Sequence, residues 1–337
     1  MTVVIAPGRV NLVGDHTDYV GGLSLPCAID LAITAVVTRG GDHVSLTSDA
    51  TAEPAAFALH DAAEHEDATT WVRLVRAVVA LVQPTEGVAG RLTTTLPVGS
   101  GLSSSAACTL ALCLAFGFDG DAHDLVLLAQ AAEQAATGVP CGVLDQLAIV
   151  HGRAGHVCLV DSGAVTANPI PIPPGVAIVV VPSGEHRVLS ETPYAQRRAE
   201  AETAMDALGG RANATEAAAN KLADPVLRRR ARHIISEDER VRAMADAFRA
   251  GDLARAGEVM GASHASLRHD AQVSTHDLDS LVDALIGKRG VYGARLTGAG
   301  FGGSAVALVA TEHAADVAET FGGRVVVPSD GARVVTR

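Results

Sequence analysis

The chain has 337 residues, of which 48% are hydrophobic and 19% charged, and its formal net charge is −12. This composition excludes a disordered chain, and the acidic balance argues against nucleic-acid and anionic-membrane partners. The length suggests two domains at about 150 residues each. The first residues have neither the basic start nor the apolar core of a signal peptide, and the longest apolar run, 106–118, is too short to span a bilayer. We therefore expect a cytoplasmic protein.

Strands and helices are predicted throughout the first half of the chain. Apolar runs and alternation predict strands at 32–38 and 44–47, joined by a turn at Gly40-Gly41-Asp42. Apolar spacing then predicts the following elements in order: helix 71–81, strand 88–96, helix 103–116, helix 124–136 and strand 156–160.

A proline-rich segment, 168–175, separates the two halves. Because prolines interrupt regular structure, we place a domain boundary here and predict domains 1–174 and 175–337. The second half is predicted to contain strand 176–181, helices 194–208, 225–250, 253–267 and 276–287, strand 305–310 and helix 312–321. The fold class is α+β.

Five cysteines are scattered through apolar surroundings without CxxC spacing, which predicts buried free thiols rather than a zinc or redox site. The histidines also lack the spacing of a metal-binding motif.

The segment from Gly8 to Tyr19 carries an unusual density of polar groups, including Arg9, Asp15 and Asp18. A solvated turn is one interpretation, since glycine and aspartate favour turns. If the segment is buried, its polar groups need partners, and a polyol ligand could provide them.

A second motif, 97–107, joins a predicted strand to a predicted helix with two glycines and several serines. Glycines permit close approach of a ligand, and the free N–H groups of a helix start can bind an anion. No lysine follows, so the motif differs from a Walker A loop and would need a metal ion to balance phosphate charge. A plain strand–helix junction is the alternative. A third, glycine-rich stretch, 293–304, precedes a buried strand.

Two acidic residues lie in apolar surroundings between these motifs. Glu133 is on a helix of small residues, and Asp145 follows Cys141-Gly142-Val143-Leu144. Such acids are rarely buried unless they are paired or functional. Asp145 could alternatively be the N-cap of a short helix.

Taken together, these motifs resemble the galactokinase family of the galacto-, homoserine, mevalonate and phosphomevalonate (GHMP) kinase superfamily. The three superfamily motifs are similar to 6–19, 97–107 and 296–304, and the subgroup motifs to 14–19, 260–268 and Tyr194 with Arg197-Arg198. The resemblance implies a two-domain small-molecule kinase fold. Its N-terminal domain is mixed α/β with a lysine-free phosphate loop, and its C-terminal domain is ferredoxin-like α+β.

The resemblance also implies roles for individual residues. Arg9 would lie by the transferred phosphoryl group, and Asp145 would orient the anomeric hydroxyl or accept its proton. Ser105 and Glu133 would hold Mg²⁺ against ATP. The sugar would be bound by Asp15, His16, Thr17, Asp18 and Tyr194. The phosphate loop would comprise Gly99, Ser100, Gly101, Leu102, Ser103, Ser104 and Ser105.

The implied activity is ATP-dependent phosphorylation of the anomeric hydroxyl of a monosaccharide, with D-galactose as the first choice and a monomer as the expected state. The family usually has Glu where this chain has Asp15, so L-arabinose, galacturonate and galactosamine stay open as substrates. A non-catalytic sugar and ATP sensor is a further alternative.

Overall fold

Strands and helices alternate along the computed structural model, which describes residues 1–61, 68–97, 99–185 and 193–336. The strands are β1 (Thr2–Asn11), β2 (Leu23–Ser24), β3 (Pro26–Arg39), β4 (His43–Ser48), β5 (Thr51–Ala58), β6 (Val88–Thr94), β7 (His156–Asp161), β8 (Thr166–Pro171), β9 (Val176–Pro182), β10 (Val291–Thr297), β11 (Ser304–Ala310), β12 (Arg324–Val326) and β13 (Arg333–Thr336). The α-helices are α1 (Thr70–Val82), α2 (Ser104–Ala115), α3 (Ala122–Thr137), α4 (Leu144–Val150), α5 (Tyr194–Ala207), α6 (Glu216–Ala219), α7 (Pro225–Ala250), α8 (Leu253–Ser266), α9 (His276–Ile286) and α10 (Ala314–Thr320).

The first half is built on a six-stranded sheet in the order β13-β1-β3-β6-β4-β5. The predicted turn at 40–42 does connect β3 to β4, but β6 lies between these strands and pairs in parallel with β4. Helices α1, α2 and α3 pack together, and α2 contacts β1 and β3. Apolar side chains such as Leu92 and Leu110 are fully buried between these layers.

A smaller sheet in the order β2-β7-β8 lies beside the first. Its edge strand β8 runs through Pro169 and Pro171, within the segment predicted to lack regular structure. That prediction was wrong for 168–171. An edge strand forms hydrogen bonds with a neighbour on one side only. Proline, which has no N–H, is therefore tolerated at positions where the N–H would point away from that neighbour.

The second half contains an antiparallel sheet in the order β10-β11-β9-β12. Numbered within this half, the order is 2-3-1-4, which is the ferredoxin-like arrangement read from one edge. Helices α7, α8 and α9 lie in the long connection between β9 and β10, and α10 connects β11 to β12. The predicted helices of this half are confirmed to within two residues at each end.

The two halves share a core, and one strand from the end of the chain belongs to the first sheet. One hydrophobic cluster joins side chains of both, among them Leu12 and Leu308. The predicted boundary falls between β8 and β9, yet β13, at the end of the chain, pairs with β1 in the first sheet. The division into 1–174 and 175–337 stays a prediction, and β13, although it falls within 175–337, belongs to the sheet of the first unit. None of the helices in the described ranges has the length and hydropathy needed to cross a membrane.

Candidate active site

Arg9 and Asp145 meet where the first strand, the phosphate loop and α4 converge. Arg9 Nε donates to Asp145 Oδ1 at 2.8 Å, and a second guanidinium nitrogen lies 2.6 Å from the same oxygen. The remaining nitrogen donates to the carbonyl of Gly101 at 2.6 Å. Arg9 is 6% exposed, whereas the Asp145 side chain is 32% exposed. The buried arginine therefore fixes an accessible carboxylate against the loop.

Asp145 lies in the first turn of α4, whose N-cap is Val143. The alternative prediction that Asp145 caps this helix is wrong, because the helix begins one residue earlier. Its Oδ2 accepts a hydrogen bond from the hydroxyl of Ser103. Ser103 occupies the N-cap position of α2, with a left-handed φ of 61° and no capping bond from its side chain. Its hydroxyl thus serves Asp145 instead of the helix.

The phosphate loop presents its polar groups to a cavity. Gly99 and Gly101 have φ of 72° and 76°, a backbone conformation that favours glycine. Ser104 and Ser105 begin α2 and are exposed. Ser100 donates to the carbonyl of Pro97, and buried Leu102 packs beneath, so these two shape the loop. Val98 lies outside the described residues.

Glu133 reaches the same cavity from α3. Its carboxylate accepts hydrogen bonds from Ser105 and, at 2.8 Å, from Gln146 Nε2. Burial raises the pKa of Glu133 to about 7, and the nearby charge of Asp145 adds to this effect. A half-buried carboxylate beside a hydroxyl suits a hard cation such as Mg²⁺. Among the described residues no three His, Cys, Asp or Glu side chains form a metal cluster, so such a cation would need ligands from nucleotide phosphates.

Asp15 is held on both of its oxygens. Oδ2 forms a buried ion pair with Arg295, and Oδ1 accepts from the backbone N–H of Gly298 at 3.2 Å. Burial raises its pKa, and the charge of Arg295 opposes that shift. The polar segment is therefore not a solvated turn. It is buried against the glycine-rich loop of the second half.

Asp18 faces the loop before α4. A side chain at Gly142 would overlap the Asp18 carboxylate, so the absence of a Cβ lets the two segments approach. Burial raises the pKa of Asp18 to about 6, with further contributions from Asp145 and Asp15. Thr17 is fully buried, and its hydroxyl bonds to the carbonyls of Leu23 and Gly14 beneath the segment.

Three rings form one wall of the site. The ring of His16 lies 6.0 Å from that of Tyr19 and 5.7 Å from that of Tyr194, and the two tyrosines lie 6.3 Å apart. His16 Nδ1 is 3.2 Å from the Tyr19 hydroxyl, and its Nε2 is 3.1 Å from the carbonyl of Ala299. This wall joins the polar segment to the start of α5.

These groups line a cavity of about 240 Å³. Of the predicted site residues, the cavity brings together Arg9, Asp15, His16, Asp18, Gly99, Gly101, Ser103, Ser104, Ser105, Glu133, Asp145 and Tyr194. Thr17, Ser100 and Leu102 are not in its lining. Sequence reasoning did not assign roles to other lining residues: Tyr19, Val139, Cys141, Gly142, Leu144, Gln146, Gly298 and Ala299. Most of these residues lie beside or within the motifs in the sequence, and that position was the signal that could have identified them.

Family models match three segments of the chain. They are the galactokinase galactose-binding signature at 2–39, the GHMP kinases N terminal domain at 72–153 and the GHMP kinases C terminal at 244–324. The galactokinase of Chloroflexus aurantiacus is 40% identical over 327 residues, which cover 91% of this chain and 84% of the relative. The chain belongs to the galactokinase family.

Other relatives agree with this membership. The galactokinase of Pyrococcus furiosus is 36% identical, with 94% of this chain and 91% of the relative covered. Lactococcus lactis galactokinase, solved in complex with galactose, matches with a TM-score of 0.91 and 30% identity over 98% of this chain and 94% of that chain. Methanococcus jannaschii mevalonate kinase, at 18% identity and a TM-score of 0.70, shares the fold over 99% and 98% of the two chains. The predicted GHMP kinase fold is confirmed.

Proposed function

We propose that this galactokinase-family chain transfers the γ-phosphoryl group of ATP to the anomeric hydroxyl of D-galactose. The observation that carries the proposal is the position of Asp145. Arg9 and Ser103 hold its carboxylate where the phosphate loop meets the polar segment 8–19, which we call the sugar-facing segment. Relatives named galactokinase, and a neighbour solved with galactose, support the choice of sugar.

The sugar would lie against Asp15, Asp18 and the ring wall. Carboxylates accept hydrogen bonds from hydroxyls, and aromatic edges exclude water around an apolar sugar face. Because Asp15 is fixed by Arg295 and Gly298, it offers its remaining lone pairs in a defined direction. Fixed acceptors of this kind can distinguish the orientation of a hydroxyl.

ATP phosphates would be bound by the backbone N–H groups at the start of α2 and by the serine hydroxyls there. Ser105 and Glu133 fit a magnesium ion, which supplies charge neutralisation for the phosphates when bound. Glu133 would hold it with a carboxylate oxygen, and Ser105 with its hydroxyl.

In the reaction, the anomeric oxygen attacks the γ-phosphorus and the bond to the ADP oxygen breaks. Asp145 orients the attacking hydroxyl and takes its proton as the new bond forms. Phosphoryl transfer depends on in-line positioning and charge stabilisation more than on covalent chemistry. Arg9, held at the loop, would stabilise the charge on the transferred group.

The test is turnover by purified protein with ATP and Mg²⁺ across galactose, galactosamine, L-arabinose and galacturonate, followed as ADP release. We expect the highest kcat/KM on galactose. The comparisons favour galactose over the other three sugars, and an enzyme over a non-catalytic sensor. No turnover on any of the four by folded protein would refute the proposal.

Asp145→Asn tests the central residue. We expect kcat to fall by about 10²–10⁴-fold, the usual contribution of a positioned acid or base. Binding of a non-hydrolysable ATP analogue, measured by calorimetry, should stay within a few-fold of wild type. Asp119→Asn, at an exposed aspartate outside the cavity, is the matched control. Unchanged turnover in Asp145→Asn would remove this carboxylate from the mechanism.

The proposal extends to the setting of the enzyme. We expect a monomer, as the family resemblance implies. We also expect the enzyme to act in the cytoplasm, because its acidic balance does not suit an anionic membrane surface and its five free cysteines suit a reducing compartment. Sedimentation of the purified chain would measure the oligomeric state directly.

A further inference from the structure

Among the described residues, the side-chain nitrogen of Gln146 has a hydrogen-bond partner and its side-chain oxygen has none. Gln146 follows Asp145 on α4, is 1% exposed and lines the cavity. Its Nε2 donates to Glu133 Oε2 at 2.8 Å. Its Oε1 is buried and has no hydrogen-bond partner among the residues that the structure describes. Buried amide oxygens are normally satisfied, so this one calls for a donor.

The orientation of the amide follows from its neighbour. A carboxylate that binds a cation is ionised and only accepts hydrogen bonds, so Glu133 requires the NH₂ group of Gln146, and the oxygen must occupy the other position. The missing partner is therefore an O–H or N–H donor that enters the cavity with a ligand. A sugar hydroxyl and a water bound to a metal ion share this chemistry.

The surroundings favour the water. Gln146 contacts Glu133, which with Ser105 is the pair suited to a cation. The sugar-facing carboxylate of Asp15 already has its own partners, Arg295 and the backbone N–H of Gly298. Mg²⁺ usually keeps several of its waters when it binds a nucleotide site, and groups that orient its ligands are as much a part of the site as the ligands.

We propose that Gln146 is a positioning residue for the divalent cation: Nε2 orients Glu133, and Oε1 accepts a hydrogen bond from a cation-bound water. This inference rests on the proposed function. It gives Gln146 a role separate from that of its neighbour Asp145, although the two are adjacent in the first turn of one helix.

The test measures metal affinity rather than turnover. Mn²⁺ is titrated into protein with a non-hydrolysable ATP analogue, and free Mn²⁺ is followed by electron paramagnetic resonance. For Gln146→Met, which keeps the length of the side chain but loses both polar atoms, we expect Mn²⁺ affinity about 10-fold weaker. The KM for galactose should stay within two-fold of wild type. Gln146→Asn, with a shorter amide, should also weaken Mn²⁺ binding, and it replaces the first variant should that one fail to fold.

Gln130→Met is the matched control. Gln130 lies on α3 and donates to the carbonyl of Cys141 at 2.9 Å, a carbonyl that Gln134 also serves. Its loss should leave Mn²⁺ affinity unchanged. Equal Mn²⁺ affinity in wild type and both Gln146 variants would overturn the inference. A raised KM for galactose with unchanged Mn²⁺ affinity would also overturn it and assign Oε1 to the sugar. Wild-type protein that binds no Mn²⁺ with the analogue would instead refute the proposed function itself.

Discussion

Asp18 carries a carboxyl group in an environment that disfavours its charge. Burial, followed by the negative charges of Asp145 and Asp15, raises its pKa from 3.8 to about 6. A carboxyl whose pKa is raised on folding favours the folded state at low pH. Its contribution is fully present below pH 3.8 and is lost as pH rises through about 6. The protein thus keeps a destabilising charge at neutral pH in a position that faces the ligand cavity.

Asp18→Asn should therefore stabilise the ligand-free protein at pH 7 while impairing sugar binding. The shift of pKa corresponds to a gain of up to about 3 kcal/mol in the free energy of unfolding. Between pH 4 and 7 the unfolding free energy of the variant should vary less with pH than that of wild type. Urea unfolding across this range measures both quantities, and the KM for galactose should rise at pH 7.

Asp206→Asn, at an exposed aspartate on α5, is the control and should change neither quantity. A variant at Asp18 that is less stable than wild type at pH 7 would show that the carboxylate is held by favourable contacts, contrary to this reasoning.

At the scale of elements, three side chains of α7 clamp the backbone of the sugar-facing segment and of strand β2, which follows it. His233 contacts the carbonyl of Asp15 at 2.9 Å, Glu237 accepts from the N–H of Gly14 at 2.9 Å, and Asp238 accepts from the N–H of Leu23 at 2.8 Å. One turn separates His233 from Glu237, so both lie on the same face of the helix. A helix of the second half thereby fixes the backbone of a loop in the first.

Glu237 is the most constrained of the three. Burial acts to raise its pKa, but the neighbouring basic side chains His233, Arg240 and Arg295 outweigh it and lower the pKa to about 2. Arg240 lies 2.6 Å from Oε2, and the hydroxyl of Ser263 donates to Oε1 at 2.5 Å. A lowered pKa means that the stabilisation is present above pH 4.5 and is lost as pH falls toward 2.

Glu237→Gln should therefore lower the free energy of unfolding at pH 7 by about 3 kcal/mol, because it leaves buried arginine charge without its partner. Urea unfolding measures the loss, and the difference from wild type should shrink as pH falls toward 2. Glu239→Gln, two residues along the same helix and exposed, should stay within about 0.5 kcal/mol of wild type. Equal stability of the two variants would argue against the clamp.

Sequence periodicity predicted individual elements better than their arrangement. The long helix α7 occupies the range 225–250 predicted from apolar spacing, and Asp224, Pro225 and Gly251 mark its two ends. Strand order was not predictable in the same way. The parallel pairing of β4 with β6 depends on contacts between segments that are distant in sequence, and strand β8 was hidden by its prolines.

The site shows the same contrast at the scale of the whole molecule. The motifs located the residues that bring chemistry, because polar groups and glycines are conspicuous in an apolar chain. The partners that hold them were missed. Arg295 lies 280 residues from Asp15, and Glu237 lies 223 from Gly14, and neither pairing leaves a local signal. Only the folded structure brings these charges together, and each buried charge then requires a partner of opposite sign.

The end of the chain links the two halves a second time. After β12 it leaves the second sheet, contacts Asp30 through the backbone of Val327 and reaches the end of α4. There the N–H of Gly331 donates to the carbonyl of Gly152, and that of Ala332 donates to the carbonyl of Ile149, both at 2.8 Å. Strand β13 then completes the first sheet. This returning segment supports the helix whose first turn carries Asp145.

Gly331→Ala tests whether that support matters for the site. A Cβ at this position would lie 2.5 Å from the carbonyl oxygen of Val150 and 2.6 Å from that of Ile149, so either the tail or the end of α4 must move. We expect a loss of about 1–3 kcal/mol in urea unfolding, the usual cost of overpacking. Displacement of α4 should lower kcat on galactose more than it changes the KM for ATP. Gly261→Ala, on α8 with open space around it, should be neutral or slightly stabilising. Asp145 lies in the first turn of the seven-residue helix α4, and the returning segment contacts its other end. A Gly331→Ala variant with lower stability but full kcat would mean that the first turn of α4 keeps its position without the returning segment.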